Sequence, residues 1–227
     1  LPTPSLDRSR RAIRIAAVIA CLAWAGGEAD AGEIRGTLFL SHRAAAVGRN
    51  LPDSTFGSLE KGVRDAVVYV EQIPPDTERA LRRRAGRAPE IAHIAQRRRR
   101  FVSRVTAVVA GSSVEFANRD SLYHNTFSVS TARKFDLGRY PPGHADTVRF
   151  DQPGTINLHC EIHPEMVGYV VVVPNHAFAR PDSLGAFRLP RLPRGEYVLR
   201  VWHPRLGELS RHVTVPERGD VRTEITY

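Results

Sequence analysis

Cys160, His163 and Met166 stand three residues apart within "HCEIHPEMVGYVVVV", residues 159 to 173, and the methionine is the single one in the chain. Thiolate, imidazole and thioether are soft or borderline donors, and together they suit an ion that alternates between Cu(I) and Cu(II). Zinc could occupy the same atoms in vitro, because availability rather than intrinsic affinity settles which metal fills such a set. Each residue also has a plainer role. A solitary cysteine can be an inert buried thiol or half of an intermolecular bridge, a methionine fills cores, and a histidine sits readily on a surface. The matched spacing favours one shared ion over three separate explanations. Pro164 stiffens the segment by fixing a backbone angle.

The only other cysteine, Cys21, lies in a stretch with the character of an export signal. Arg8, Arg10, Arg11 and Arg14 precede the apolar run "IAAVIACLAWA", and "GGEADA" supplies small residues for cleavage after Ala31. The apolar run is short for a membrane span. "SRRAIR" resembles a twin-arginine signal, and "VIAC" could direct acylation of Cys21, although the apolar run continues past it. Plain cleavage is the favoured expectation, with a periplasmic mature chain and no membrane span in it. Cys160 is then left unpaired in an oxidising compartment, which calls for an explanation.

The elements that must position these side chains read as strands. "EIRGTLFL", "DAVVYVE", "FVSRVTAVVA", "SSVEFAN", "NTFSVS", "DTVRFD", "TINLHC", "GYVVVV", "GAFRLP", "EYVLRVW" and "SRHVTV" are short and rich in Val, Thr, Phe and Tyr. Most are bounded by Gly, Pro, Asn or Asp, as strands are. Many short strands at this spacing predict an all-β protein built from antiparallel sandwiches. Only "DTERALRRRAGRAPEIAHIAQ" departs, as a short polar helix or an irregular segment. A chain of 227 residues holds one large or two small domains.

The net charge is +9, and the arginine runs "RALRRRAGR" and "QRRRR" concentrate it between residues 79 and 100. Lysine occurs only at Lys61 and Lys134. The runs read either as a docking patch for an acidic partner or anionic surface, or as solvated loops of an arginine-favouring sequence. Nucleic acid is not an expected partner, since no binding motif accompanies the charge.

Two family resemblances sharpen this reading. "SSVEFANRDSLYHNTFSVS" and "GTINLHCEIHPEMVGYVVVV" together resemble the cupredoxins, small blue copper proteins with a Greek-key β-sandwich. In that family a His follows a strand ending in Asn, and the loop between the last two strands carries Cys, His and Met. Here His124 and Asn125 follow "FANRDSLY", and Cys160, His163 and Met166 form C-x2-H-x2-M, the short loop of the amicyanin type. The tail matches the carboxypeptidase regulatory-like (transthyretin-like) sandwich pattern at Asp182, Gly185, Phe187, Leu189, Leu192, Pro193, Gly195, Tyr197, Leu199 and Val201. That family opens with strands like "GEIRGTLFL" and "DAVVYVE", which occur here roughly a hundred residues upstream. The combination also resembles bacterial methylamine-utilisation-like proteins. The economical organisation is a signal over 1–31, the first regulatory-like strands over 32–75, an inserted cupredoxin domain over 76–175, and the rest of the interrupted sandwich over 176–227. The competing organisation gives the early strands to the middle domain.

The cupredoxin resemblance implies a ligand set of His124, Cys160, His163 and Met166 for one type 1 copper ion, with Asn125 tying the two ligand loops together. Two imidazoles and a thiolate in a plane with a weak axial thioether suit both copper oxidation states. His159 should point away from Cys160 on an extended strand and is expected to be a surface or packed residue. A two-cysteine copper centre does not fit one mature cysteine. The implied function is single-electron transfer between redox partners, with an acidic protein as a candidate partner, by a carrier rather than a catalyst. Copper storage without redox turnover, or a binding module with a vestigial copper loop, are the alternatives.

Overall fold

The computed structural model describes residues 31–41, 63–86 and 91–227; the expected signal, with Cys21, lies outside them. In chain order the strands are β1 (Ala31–Gly32), β2 (Ile34–Phe39), β3 (Val67–Val70), β4 (Ile91–Gln96), β5 (Phe101–Val102), β6 (Val105–Val109), β7 (Ser112–Asn118), β8 (His124–Ser130) and β9 (Arg133–Tyr140). They continue as β10 (Ala145–Phe150), β11 (Gly154–His159), β12 (Val167–Val173), β13 (Phe178–Ala179), β14 (Ala186–Arg188), β15 (Leu192–Pro193), β16 (Gly195–His203), β17 (Gly207–Val215) and β18 (Val221–Thr226). A single α-helix among the described residues, α1 (Pro75–Ala85), follows β3.

Four sheets stack in sequence. The outermost has the order β14-β2-β18, and the next is β13-β3-β16-β17. The third is β6-β12-β11-β8-β9 and the fourth β10-β7-β4-β5. The first two sheets enclose a core with Ile34, Leu38, Val68, Val70, Leu199 and Val201. The last two enclose another with Ile94, Phe116, Phe150, Ile156, Leu158 and Val170. The chain switches repeatedly between the third and fourth sheets, giving Greek-key connections. It is a nearly all-β, sandwich-based protein.

The early strands pair with the late ones. β2 runs parallel to β18, with Ile34 opposite Val221, and β3 is antiparallel to β16, with Val68 opposite Val201. Helix α1 buries Leu81 in that same core. Of the segment left open between helix and irregular chain, the first half is this helix. The second half, "IAHIAQ", is strand β4, parallel to β7.

A third cluster lies between the two sandwiches. Val67 and Trp202 on one side meet Val105, Val109, Val171 and Val173 on the other. Successive strand residues point to opposite faces, so Val170 and Val172 enter the metal-side core while Val171 and Val173 enter the contact between sandwiches. A strand buried on both faces reads as an unbroken apolar run rather than an alternation, which is why this one is "GYVVVV". Trp202 faces the other sandwich, its ring 5.4 Å from that of Tyr169.

Local chemistry accounts for the tail pattern. The Asp182 carboxylate accepts the backbone N–H groups of Leu184 and Ala186 at 2.8 and 3.0 Å, forming the turn before β14. Gly185 holds that turn at φ 81°, and a Cβ there would collide with the Leu38 carbonyl oxygen. The Tyr197 hydroxyl donates back to the Pro193 carbonyl at 2.9 Å.

Burial pushes the phenols of Tyr69 and Tyr140 up to about 12, in Tyr69 with the Glu208 carboxylate adding to it. An unfolded tyrosine loses its proton near pH ~10. Above that the unfolded chain binds fewer protons than the folded one, so stability should hold up to about pH 10 and fall toward 12. Each phenol contributes a slope of at most about 1.4 kcal/mol per pH unit. Urea midpoints measured across this range check it, with Tyr140→Phe flattening the decline; a flat profile to pH ~12 would contradict the assignment.

Candidate metal centre

Two neighbouring strands bring the donors together. β11 and β12 form a hairpin whose last pair, His159 opposite Val167, closes a loop over residues 160–166. Within it the Met166 N–H donates to the His163 carbonyl at 2.9 Å, a turn with Pro164 at its second position. Proline's fixed φ suits that position. β8 lies next to β11, with Phe127 opposite His159, and so carries His124, its first residue, to the loop.

The Cys160 sulfur is 3.8 Å from Nδ1 of His124 and 3.8 Å from Nδ1 of His163, and the two Nδ1 atoms are 3.1 Å apart. A circle through the three atoms has a radius of about 2.1 Å by plane geometry. Metal–nitrogen bonds of about 2.0–2.1 Å and metal–sulfur bonds of about 2.3 Å are of that size, so one ion in the plane would reach all three. His124 is wholly buried and Cys160 nearly so, while His163 is half-buried and reaches toward solvent. Met166, 1% exposed, packs in the same core as Cys160. Three donors in a trigonal set with a buried thioether nearby fit copper better than a closed tetrahedral zinc site.

Asp120 fixes the orientation of His124. Its Oδ2 lies 3.2 Å from Nε2 of the ring and accepts the Arg99 backbone N–H at 2.7 Å. That N–H bond, joined by the contact with His124, holds the Asp120 carboxyl below the usual carboxylate range. Burial lowers the His124 imidazole, which favours the neutral ring. An ionised carboxylate only accepts, so the neutral ring's one proton belongs on Nε2, and the Nδ1 lone pair points at Cys160 and His163. Asn118 braces the loop, accepting the Asp120 N–H at 3.0 Å and donating to the Leu122 carbonyl at 2.8 Å.

Asn125 bridges the two ligand segments. Its Oδ1 accepts the Glu161 N–H at 2.6 Å, one residue past Cys160, and its Nδ2 donates to Asp136 at 3.2 Å. Behind His124 lies a buried polar chain in which Gln96 donates to Thr126 Oγ1 at 2.8 Å and Thr126 bonds the Tyr140 hydroxyl at 2.7 Å. His159 stands outside the donor group, its ring 5.6 Å from that of Phe127. His93 and His144 pair instead with Glu115 and Asp146.

Asp120 and Gln96 are the residues that sequence reasoning missed. Asp120 left a signal, an acid four positions before a candidate ligand in a loop after a strand. Asp120→Asn keeps the shape and loses the charge. It should weaken Cu(I) affinity about 10- to 100-fold, the usual cost of losing a ligand's outer partner. A competition titration against a chromophoric chelator measures this, and unchanged affinity would remove Asp120 from the site.

The fold and the site thus define a double β-sandwich with a His-Cys-His donor group, buried except at His163, in the sandwich of the third and fourth sheets. No family profile matches the chain, and no curated protein does. Solved structures similar to it include a purple cupredoxin from Nitrosopumilus maritimus, at 24% identity over 36% of this chain and 98% of that one, with a TM-score of 0.33. A reduced amicyanin variant is 25% identical over 39% of this chain and 87% of its own, with a TM-score of 0.35. The copper-containing nitrite reductase of Thermus scotoductus SA-01 is 23% identical over 38% of this chain and only 23% of that enzyme, with a TM-score of 0.36. No helix among the described residues is long and apolar enough to cross a membrane.

Proposed function

We propose that the protein is an exported mononuclear type 1 copper protein that carries single electrons between redox partners. His124, Cys160, His163 and Met166 would hold the ion. Copper in such a set supplies a one-electron couple that needs little rearrangement between its two states. The chain's own residues do the rest. Asp120 keeps the proton on Nε2 of His124, Asn125 tethers the cysteine segment to β8, and the apolar wall of Phe116, Ile156 and Leu158 excludes water. The half-buried edge of His163 gives electrons the shortest way out.

The observation that carries this reading is the convergence of two Nδ1 atoms and one Sγ on a circle of metal-bond radius, with Met166 buried in the same core as the cysteine. The reading includes a carrier rather than an enzyme, located in the periplasm. It also includes an organisation in which residues 32–75 and 176–227 form a carboxypeptidase regulatory-like sandwich interrupted by the copper-binding one. The pairing of β2 with β18 and of β3 with β16 supports that organisation.

Protein purified from a periplasmic fraction and loaded with copper should show strong thiolate-to-copper absorption in the orange-red and a reversible voltammetric wave. Capture of Cu(I) without a reversible wave would replace electron transfer by storage. Neither band nor capture would end the copper reading.

A further inference from the structure

The run "QRRRR" does not form a featureless loop. Arg97 and Arg100 exchange both backbone hydrogen bonds, at 3.0 and 3.2 Å, closing a two-residue turn between β4 and β5. Its central residues, Arg98 and Arg99, sit at φ 54° and 52°. Such a turn ordinarily takes Asn-Gly, because a side chain in the left-handed region crowds the following carbonyl oxygen. Two consecutive arginines there are a local expense that folding alone does not explain.

The turn is fastened to the metal centre. The Arg99 N–H holds Asp120, which holds His124, and the Arg99 guanidinium lies 3.8 Å from Glu165 inside the ligand loop. Arg119 joins the patch through its backbone bond to Gln96. All five arginines are exposed. Among the described residues, no carboxylate pairs with the side chains of Arg97, Arg98, Arg100 or Arg119, so their mutual repulsion is left standing. Beside them Leu122 and Tyr123, 45% and 59% exposed, form an apolar spot immediately before His124. A small apolar centre with a charged rim, beside the loop that carries the half-buried His163, has the anatomy of a transient docking site.

We infer that the arginine turn Arg97–Arg100, with Arg119, Leu122 and Tyr123, is the docking surface for an acidic electron-transfer protein. This rests on the copper reading for its purpose but not for its binding, and the two are tested separately. Carboxylates on the partner relieve the repulsion among the guanidiniums and steer the encounter. The apolar spot then excludes water next to His124. The second arginine run takes no part, since Arg82, Arg83 and Arg84 lie at the end of α1, where they suit the helix dipole.

Two probes share one haem fold and differ in sign: native horse cytochrome c, which is basic, and the same protein with its lysines succinylated. For binding, the copper-free protein is titrated with each and followed by amide chemical shifts. The acidic probe should perturb residues 97–100 and 119–123, and the native one should not. For transfer, protein loaded with Cu(I) is mixed in stopped flow with each probe in its ferric form, so that copper loses one electron and the haem iron gains it, at roughly 10 mM salt, where charges act over about 30 Å. The acidic probe should react at least about tenfold faster, an advantage that salt removes.

Arg98→Glu combined with Arg100→Glu should abolish that preference with the visible spectrum unchanged. Arg98→Gly, which relieves the backbone and removes one charge, should fold at least as stably and react more slowly. Shifts mapping elsewhere, equal rates for the two probes, or charge reversal without effect would overturn the inference. So would retention of the preference together with loss of binding to phosphatidylglycerol vesicles, which would assign the patch to a membrane. A sample without a visible band but with shifts in the turn would fail the copper reading and leave the docking surface standing.

Discussion

Cys160→Ser is expected to remove the visible absorption of the copper-loaded protein entirely and to lower Cu(I) affinity by more than about 100-fold. That is above the 10- to 100-fold range for a ligand's outer partner, because the sulfur is itself a donor. A hydroxyl at the same place stays protonated at neutral pH and is a hard, weak donor for a soft ion. The fold should survive. Cys160 is 3% exposed on the rim of the second core, and serine nearly matches its volume, so the copper-free variant should unfold within about 2 kcal/mol of the parent. The comparison separates a ligand from a core thiol. A core thiol would give the same stability cost and an unchanged optical spectrum, and that result would defeat the copper assignment.

Trp202→Ala is expected to cost about 3–4 kcal/mol, toward the lower end of the range for truncating a large buried aromatic, since 8% of the residue remains exposed. The ring fills the contact between the sandwiches against Val67, Val105 and Val171 and leans on Tyr169. Its loss removes the largest side chain in that contact. Each sandwich keeps its own core, so denaturation should also change form, from one transition toward two. Chemical denaturation followed by far-ultraviolet circular dichroism reports on both sandwiches, and in loaded protein the visible band reports on the metal-side one alone. A cost below about 1 kcal/mol with a single transition would mean that the contact contributes little to holding the halves together.

The parts of this protein that were legible in its sequence are the local ones. Cys160, His163 and Met166 announce themselves because one seven-residue turn holds them, and the strands announce themselves by Val, Thr and Phe between turn residues. "IAHIAQ" was not legible as a strand. Ile91, Ile94 and Ala95 fit a helical spacing as well as an extended one, and what decides is β7, some twenty residues further on, to which it runs parallel. The hydrogen bond from Arg99 to Asp120 escaped for a similar reason, since it joins a turn and a loop through atoms that no spacing rule relates. Alternation along "EYVLRVW" puts Trp202 on one face of its strand. The alternation says which residues share a face, and only the assembled stack says that this face meets a second sandwich.

The strand Val167–Val173 has β11 on one edge and β6 on the other, with apolar cores pressed on both faces. Its amides can meet solvent deuterium only when both sandwiches part, which makes it a candidate for the slowest-exchanging segment of the molecule. Met166 and His163 hang from the head of that strand. The seat of the ion is therefore anchored to the region least given to local opening, and loaded and empty protein should share one backbone there.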